Sequence, residues 1–210
     1  MTTLIIGANG QIGRLLIDEL TRAGERPRAM IRDESQAAGM QVLGAEPVVA
    51  DLEGDFSRAF EGVDRVVFTA GSGPRTGPDK TILVDLWGAI KAVDAAEAAG
   101  VAHFVMVSSR GAENPDKGPE KIKAYCVCKK LADDHLLASG LTHTILRPGR
   151  LTDDPAIDRV TTDWPEDAGE QWITRQDVAR AVAFCLANDR TRGKVYPLFH
   201  GEQTLEEALV

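Results

Sequence analysis

Tyr125 and Lys129 are two side chains whose types and spacing could carry out acid–base chemistry. They stand four residues apart in a segment that reads as a helix, so they share one helical face about one turn apart. A free tyrosine has a pKa near 10, and a nearby ammonium favours the phenolate and lowers that pKa. The spacing therefore predicts a tyrosine that passes a proton to or from a substrate oxygen while a hydride moves.

Three glycines near the start of the chain predict a dinucleotide-binding turn. The apolar run Thr3–Ile6 ends at Gly7, further glycines follow at 10 and 13, and an amphipathic stretch comes next. Gly7 permits a tight turn, Gly10 lets a pyrophosphate approach the backbone, and Gly13 lets a helix pack close to a strand. The helix N-terminus then offers free N–H groups and a positive dipole end to the phosphates. The predicted contacts here are Gly7, Asn9, Gly10, Gln11, Ile12 and Gly13.

The second predicted strand, Arg28–Arg32, bears on which dinucleotide binds. Its end lies about 20 residues past the last glycine, where an acidic residue would hold the ribose 2′-hydroxyl of NAD. Arg32 stands there instead, and Arg14 opens the first helix. Because arginine pairs with phosphate oxygens in a bidentate fork, NADP is expected rather than NAD. Asp33 leaves the alternative open, since it could turn toward a hydroxyl or pair with Arg32.

Length and composition limit the functional classes. The chain has 210 residues, a formal net charge of -8 and no basic stripe, so a nucleic-acid groove is not expected. No apolar run approaches the roughly 18 residues of a membrane span, and no signal peptide is recognised. Three cysteines fit a reducing cytoplasm, where we expect the protein, and Cys126-Val127-Cys128 lacks a second pair to complete a metal site. Composition does not indicate the oligomeric state.

Strands alternate with helices along the chain, which predicts an α/β fold: a doubly wound parallel sheet of the Rossmann type, flanked by helices. We expect one domain over 1–210, in which 151–210 forms a small appendage on the substrate side, a flap and a helix. Within it, polar residues 151–172 read as a flap, and Thr174 is a possible N-cap for the helix that follows. The remaining predicted strands are 45–50, 63–70, 103–108, 141–147 and 194–199, and the remaining helices are 81–99, 119–139, 179–186 and 202–208.

These features together resemble the short-chain dehydrogenase/reductase superfamily, and most closely its atypical branch related to NAD(P)-dependent epimerase/dehydratases. The resemblance covers nearly the whole chain and includes Val107-Ser108-Ser109 and Arg147-Pro148-Gly149. It implies that Ser109 orients the substrate oxygen, Tyr125 is the acid/base, and Lys129 also holds the nicotinamide ribose. Asp85 stands where the superfamily usually has Asn. The further cofactor contacts it implies are Asp51, Leu52, Ala70, Gly71, Val107, Tyr125, Lys129, Pro148 and Gly149.

The expected function is that of an NADP-dependent oxidoreductase acting on a small carbonyl, quinone or flavin-like substrate. One alternative is a non-catalytic NADP(H) sensor that binds another protein, with Tyr125 and Lys129 merely lining the cofactor pocket. Asp85 favours that alternative, because ionised Asp can only accept hydrogen bonds, whereas Asn both donates and accepts. Epimerase or dehydratase activity is a third possibility, supported only by the names of the family.

Overall fold

The computed structural model describes residues 1–73, 76–118 and 120–210, and its centre is an eight-stranded sheet in the order β3-β2-β1-β4-β5-β6-β10-β8. Every neighbouring pair in this sheet is parallel except β10 and β8. The ten strands within these described residues are β1 Thr3–Ile6, β2 Arg28–Ile31, β3 Glu46–Val49, β4 Arg65–Phe68, β5 His103–Val107, β6 His143–Pro148, β7 Arg150–Thr152, β8 Val160–Thr161, β9 Trp172–Thr174 and β10 Lys194–His200. This order confirms the predicted Rossmann-type fold, with its reversal of strand order between β1 and β4.

The central strands are buried on both faces, which explains their nearly continuous apolar sequence. Strands β1, β4 and β5 are buried at every position. Because successive side chains point to opposite faces of a strand, each strand contributes to two cores. Ile5 lies in the core beneath α1 Gln11–Arg22 and α6 Arg175–Ala187, whereas Leu4 and Ile6 lie in the core on the other face.

The other helices are α2 Ala37–Val42, α3 Pro78–Lys80, α4 Ala89–Ala98, α5 Lys123–Ala138 and α7 Leu205–Leu209. Between α3 and α4 the chain winds as a π-helix over Thr81–Gly88, and α5 packs against this segment. A π-helical turn is rare and is often found at a functional site. It replaces the first part of the regular helix predicted over 81–99.

The predicted helix over 119–139 begins later, at Lys123, after a 3-10 turn over Glu120–Ile122. Its expected first residue, Pro119, lies outside the described residues. The segment expected to form a flap, 151–172, contains more regular structure than its polar sequence indicated. Strands β7 and β9 form a separate two-stranded sheet, and β8 joins the main sheet. Thr174 caps α6 as predicted, because its hydroxyl accepts the N–H of Asp177.

Candidate cofactor cleft and catalytic cluster

The glycine turn brings β1 and the start of α1 close to the residues that follow β4. Gly7 has a φ of +86°, and a Cβ atom there would lie 2.6 Å from the backbone nitrogen of Ala70. A Cβ atom on Gly13 would lie 2.5 Å from the carbonyl oxygen of Gly7, so α1 packs directly on the turn. Gly10 has more room, since its Cβ would lie 3.1 Å from the same oxygen.

Helix α1 begins with backbone donors that have no acceptor within the helix. Gly10 is the N-cap residue, and no side chain caps this end. The N–H of Arg14 is the first to bond within the helix, at 2.9 Å from the Gly10 carbonyl oxygen. The N–H groups of Gln11, Ile12 and Gly13 therefore have no acceptor among the described residues and can bind an anion, which the helix dipole also favours. Glycines without side chains and free N–H groups together fit the pyrophosphate of a dinucleotide.

A cleft of about 320 Å³ opens beside this turn, at the carboxyl ends of β1, β2, β3 and β4. Eight predicted cofactor contacts line it: Gly7, Asn9, Gly10, Arg32, Asp51, Leu52, Ala70 and Gly71. It also includes Gln36, Glu53 and Ser72, which sequence reasoning missed because they lie on turns with no motif of their own. The cleft is thus placed where ligands bind in sheets of this topology.

The charged groups at the end of β2 are divided between the cleft and a turn. Arg32 is exposed and lines the cleft. The Asp33 carboxylate instead accepts the N–H of Ser35 at 2.8 Å and caps the 3-10 turn Glu34–Gln36, and these hydrogen bonds lower the pKa of Asp33. Arg14 does not line the cleft, because its Nη1 donates to Asn9 Oδ1 at 3.0 Å. Of the two arginines proposed for a 2′-phosphate, Arg32 is the one at the cleft.

The other predicted cofactor contacts lie around the cleft rather than in its wall. The Gln11 side chain donates to Asp153 Oδ1 at 3.0 Å, so it contacts the C-terminal segment. The carbonyl oxygen of Val107 accepts from Lys129 Nζ at 3.0 Å. Pro148 ends β6 and Gly149 follows it, and a Cβ atom on Gly149 would lie 2.6 Å from the carbonyl oxygen of Gln171. Ile12 is half-buried in the first turn of α1.

The four predicted catalytic residues come together next to this cleft. Lys129 is 1% exposed. The negative charge of Asp85 acts on both Lys129 and Tyr125 and raises the pKa of each. Ser109 lowers the pKa of Tyr125 and so partly opposes the rise caused by burial, while its Oγ donates to the Arg110 carbonyl oxygen at 3.1 Å. Asp85 Oδ2 accepts the N–H of Ser72, a cleft residue, at 3.0 Å. Catalytic cluster and cleft are therefore continuous.

The prediction that Lys129 lowers the pKa of Tyr125 is wrong for this structure. Burial raises the pKa of Tyr125, and the negative charge of Asp85 raises it further. The Lys129 ammonium is directed at the Val107 carbonyl oxygen, and burial lowers the pKa of Lys129 itself. Tyr125 is consequently a neutral phenol at physiological pH, which suits a proton donor better than a base.

Asp133 is a buried carboxylate that the sequence analysis missed. It lies one turn after Lys129 on the same face of α5, and its Oδ2 accepts from Ser108 Oγ and from Arg147 Nε, both at 2.9 Å. Its Oδ1 is buried without a partner among the described residues. Ser108 is thus occupied by this network, which agrees with the assignment of the substrate-facing role to Ser109. The spacing of Tyr125, Lys129 and Asp133 at every fourth residue could have revealed it.

The remaining metal and nucleophile candidates do not gather into a site. The three cysteines are buried and free, and burial raises the pKa of each thiol. Among residues 1–73, 76–118 and 120–210, no three potential metal ligands cluster, and no helix is long and apolar enough to cross a membrane. His103, the first residue of β5, is fully buried and contacts Thr144 Oγ1 at 2.9 Å.

Comparison with known proteins places this geometry in a known family. A family model described as NAD(P)H-binding matches residues 7–189. A Bacillus subtilis protein named as an uncharacterized sugar epimerase, YhfK, is 43% identical and aligns over 100% of this chain and 99% of its own length. A solved Bacillus halodurans structure, provisionally called an NAD-dependent epimerase/dehydratase, is 45% identical with a TM-score of 0.94, covering 99% of this chain and 97% of its own. The oxidoreductase ylbE from Lactococcus lactis is 28% identical with a TM-score of 0.88, covering 100% and 95%.

Proposed function

Because the chain belongs to the NAD(P)H-binding family of Rossmann-fold proteins, we propose that it is an NADP-dependent reductase of a small carbonyl, quinone or flavin-like compound. The observation that carries this proposal is the position of Tyr125, Lys129, Ser109 and Asp85 in one cluster beside the glycine cleft. A cleft alone would serve a binding protein equally well. A half-buried neutral phenol next to it adds a proton donor, which a reduction requires.

NADP is proposed over NAD on the basis of Arg32. A 2′-phosphate at the end of β2 would meet its guanidinium, and the Asp33 carboxylate that could have held a ribose hydroxyl is turned into the 3-10 turn. Gly7, Gly10 and the free N–H groups of the first turn of α1 are proposed to hold the pyrophosphate.

Each residue of the cluster has a distinct proposed role. For a carbonyl substrate, the bound cofactor would supply the hydride and the carbonyl carbon would accept it. Tyr125 would donate its phenolic proton to the substrate oxygen, since the alkoxide that develops there is a much stronger base than a phenolate. Ser109 would orient that oxygen by hydrogen bonding. Lys129 would hold the nicotinamide ribose and supply a positive charge to the site. The negative charge of Asp85 stabilises the Lys129 ammonium.

We also propose that 151–210, together with Pro148 and Gly149, forms the substrate side of the site within a single domain. The segment reaches back to the cofactor end of the sheet at two places. Asp153 accepts from Gln11 at the start of α1, and Gln171 lies against Gly149. Loops at the carboxyl ends of the strands are where substrate contacts concentrate in such folds.

A cofactor-sensing role is the second candidate, and two observations favour it. Asp85 has replaced the donor-and-acceptor side chain expected of a proton relay, and one of its oxygens is engaged by the N–H of Ser72. The raised pKa of Tyr125 also slows any reaction that needs the phenolate. A sensor would bind NADPH and NADP⁺ with different effects on a partner and would oxidise no substrate.

NADPH consumption across a panel of aldehydes, ketones, quinones and flavins, set against the same panel with NADH, tests the proposal. We expect consumption with at least one class and a preference for NADPH. Tight NADPH binding with no consumption across the panel would favour the sensor. Interconversion of a pair of sugar-nucleotide epimers, without net consumption of cofactor, would instead favour an epimerase activity, as the name of the B. subtilis relative suggests.

A further inference from the structure

Arg110 is a half-buried arginine immediately after Ser109, at the carboxyl end of β5. Its backbone N–H donates to the Pro148 carbonyl oxygen at 2.9 Å, so the residue bridges the ends of β5 and β6. Its guanidinium extends toward the C-terminal segment, where Nη1 donates to Gln171 Oε1 at 2.8 Å and to the Gln171 carbonyl oxygen at 3.2 Å. The side chain therefore lies between the proposed proton-transfer residues and the proposed substrate side.

The positive charge of Arg110 is not neutralised locally. Within residues 1–73, 76–118 and 120–210 no carboxylate oxygen lies within 4 Å of its guanidinium, and its Nε and Nη2 donate no hydrogen bond. The nearby carboxylates are engaged elsewhere. Glu113 accepts the N–H of Gly111 at 3.0 Å, and Glu170 contacts His200 Nε2 at 2.7 Å. The Nε and Nη2 groups are not enclosed by the protein, so they remain accessible to an anion that would complete the fork.

The guanidinium is also held in place, as a binding group must be. Two oxygens of Gln171, Oε1 and the carbonyl oxygen, accept from Arg110 Nη1. The Gln171 Nε2 in turn donates to the Pro165 carbonyl oxygen at 3.0 Å. Aromatic side chains adjoin this anchor. Trp172 stacks on His200 at 4.1 Å, and Trp164, 42% exposed, stands edge-on to Phe199 at 5.0 Å. The surroundings thus pair one fixed cation with apolar surface.

From this arrangement we infer that Arg110 binds a carboxylate on the substrate, so that the natural substrate is a carbonyl compound with a carboxylate group. Gln171 holds one edge of the fork through Nη1, and Nε and Nη2 are left to receive the carboxylate. The carboxylate fixes the distance of the carbonyl from Ser109 and Tyr125. This inference rests on the proposed reductase function, because it describes how that same site chooses its substrate.

Matched acid and ester substrates test the inference. The 3- and 4-carboxybenzaldehydes and their methyl esters carry the same aldehyde and differ in charge. We expect a kcat/KM for the better acid about tenfold or more above its ester, the effect of one hydrogen bond to a charged group. Arg110→Gln, which can still donate to Gln171, should remove that preference through KM and leave ester reduction within a few-fold. Arg26→Gln, at an exposed arginine just before β2 and so at the opposite edge of the sheet, is the matched control and should keep the preference.

The outcomes separate the inference from the proposed function. Reduction of acid and ester with equal kcat/KM, or an acid preference that survives Arg110→Gln, would overturn the inference while the reductase assignment stands. If no aldehyde is reduced, the proposed function fails on this panel, and calorimetric titration of 4-(hydroxymethyl)benzoate into the complex with NADP⁺ decides the inference alone. Binding weakened about tenfold by Arg110→Gln supports it; absent or unchanged binding overturns it.

Should Arg110→Gln loosen the C-terminal segment, Gln171→Leu provides a second variant. It removes the side-chain anchor and keeps the charge, so the acid preference should fall only part of the way. A loss of ester reduction equal to that of acid reduction in both variants would mean that Arg110 only tethers the segment, and would overturn the inference.

Discussion

Replacing Arg32 by Gln is expected to change which dinucleotide the protein prefers. Arg32 lines the cleft at the end of β2 and forms no ion pair among the described residues, so its loss breaks no existing salt bridge. The substitution keeps a polar side chain of related shape and removes the charge. Its effect should therefore fall on the ligand that brings a phosphate to this position and spare the ligand that does not.

The magnitude follows from the contact that is lost. A hydrogen bond to a charged group contributes about 1.5–3 kcal/mol, and the exposure of Arg32 places this contact at the lower end. Arg32→Gln should thus weaken NADPH binding by roughly tenfold and leave NADH binding within about twofold. Arg14→Gln should weaken NADPH binding less, because Arg14 is directed at Asn9 and does not line the cleft.

Calorimetric titration of both cofactors into the unmutated protein and the two variants measures these values. The titrations should be made at one fixed ionic strength, since salt screens an exposed contact. Equal affinity of the unmutated protein for NADPH and NADH would refute the assignment of the 2′-phosphate to Arg32. So would an equal loss of both affinities in Arg32→Gln.

Three further substitutions test other parts of the account. Gly10→Val should abolish NADPH binding in calorimetry, because the valine methyl groups would enter the cleft. The protein should stay folded by circular dichroism, since the added Cβ would lie 3.1 Å from only one atom, the Gly7 carbonyl oxygen. Normal NADPH binding would mean that the phosphates bind elsewhere. Burial lowers the pKa of His103 from 6.5 to about 4. Between these pH values the unfolded chain binds a proton that the folded protein does not. The free energy of unfolding should therefore fall by up to about 3 kcal/mol as the pH drops from 6.5 to 4. Urea unfolding should show a smaller fall for His103→Gln, and an equal fall would contradict the assignment. Asp133→Ala should lower the free energy of unfolding by about 3 kcal/mol, because it strands the partly buried Arg147, and a loss under about 1 kcal/mol in urea unfolding would contradict this.

Much of the fold followed from local sequence, because each element carries its own signal. The buried strands β1, β4 and β5 read as apolar runs, and the glycines at 7 and 13 mark backbone contacts that a side chain would block. The small strands of the C-terminal segment carried no such signal. β8 has two residues, and its pairing with β10 depends on contacts far along the chain. The π-helical winding over Thr81–Gly88 likewise has no sequence pattern of its own.

The sequence predicted which residues to consider for the candidate site but not their electrostatics. Helical spacing placed Tyr125 with Lys129, and topology brought Asp85 and Ser109 to them. The direction of the Tyr125 pKa was wrong because sequence cannot give burial, or show that Lys129 turns to the Val107 carbonyl oxygen. Asp33 is similar: its sequence position suggested a ribose contact or a pair with Arg32, and only the 3-10 turn revealed a capping role.

The central claim is that Tyr125 donates the proton in an NADPH-dependent reduction, and NADPH consumption by Tyr125→Phe and the unmutated protein tests it most directly. Tyr196→Phe is the matched control, because it removes the other tyrosine hydroxyl of the chain, one that donates to the Leu209 carbonyl oxygen at 2.6 Å. Tyr125→Phe should lower turnover by about 10² to 10⁴ with NADPH affinity within a few-fold, while Tyr196→Phe keeps its turnover. Turnover of the accepted substrate that is unchanged in Tyr125→Phe would contradict the account.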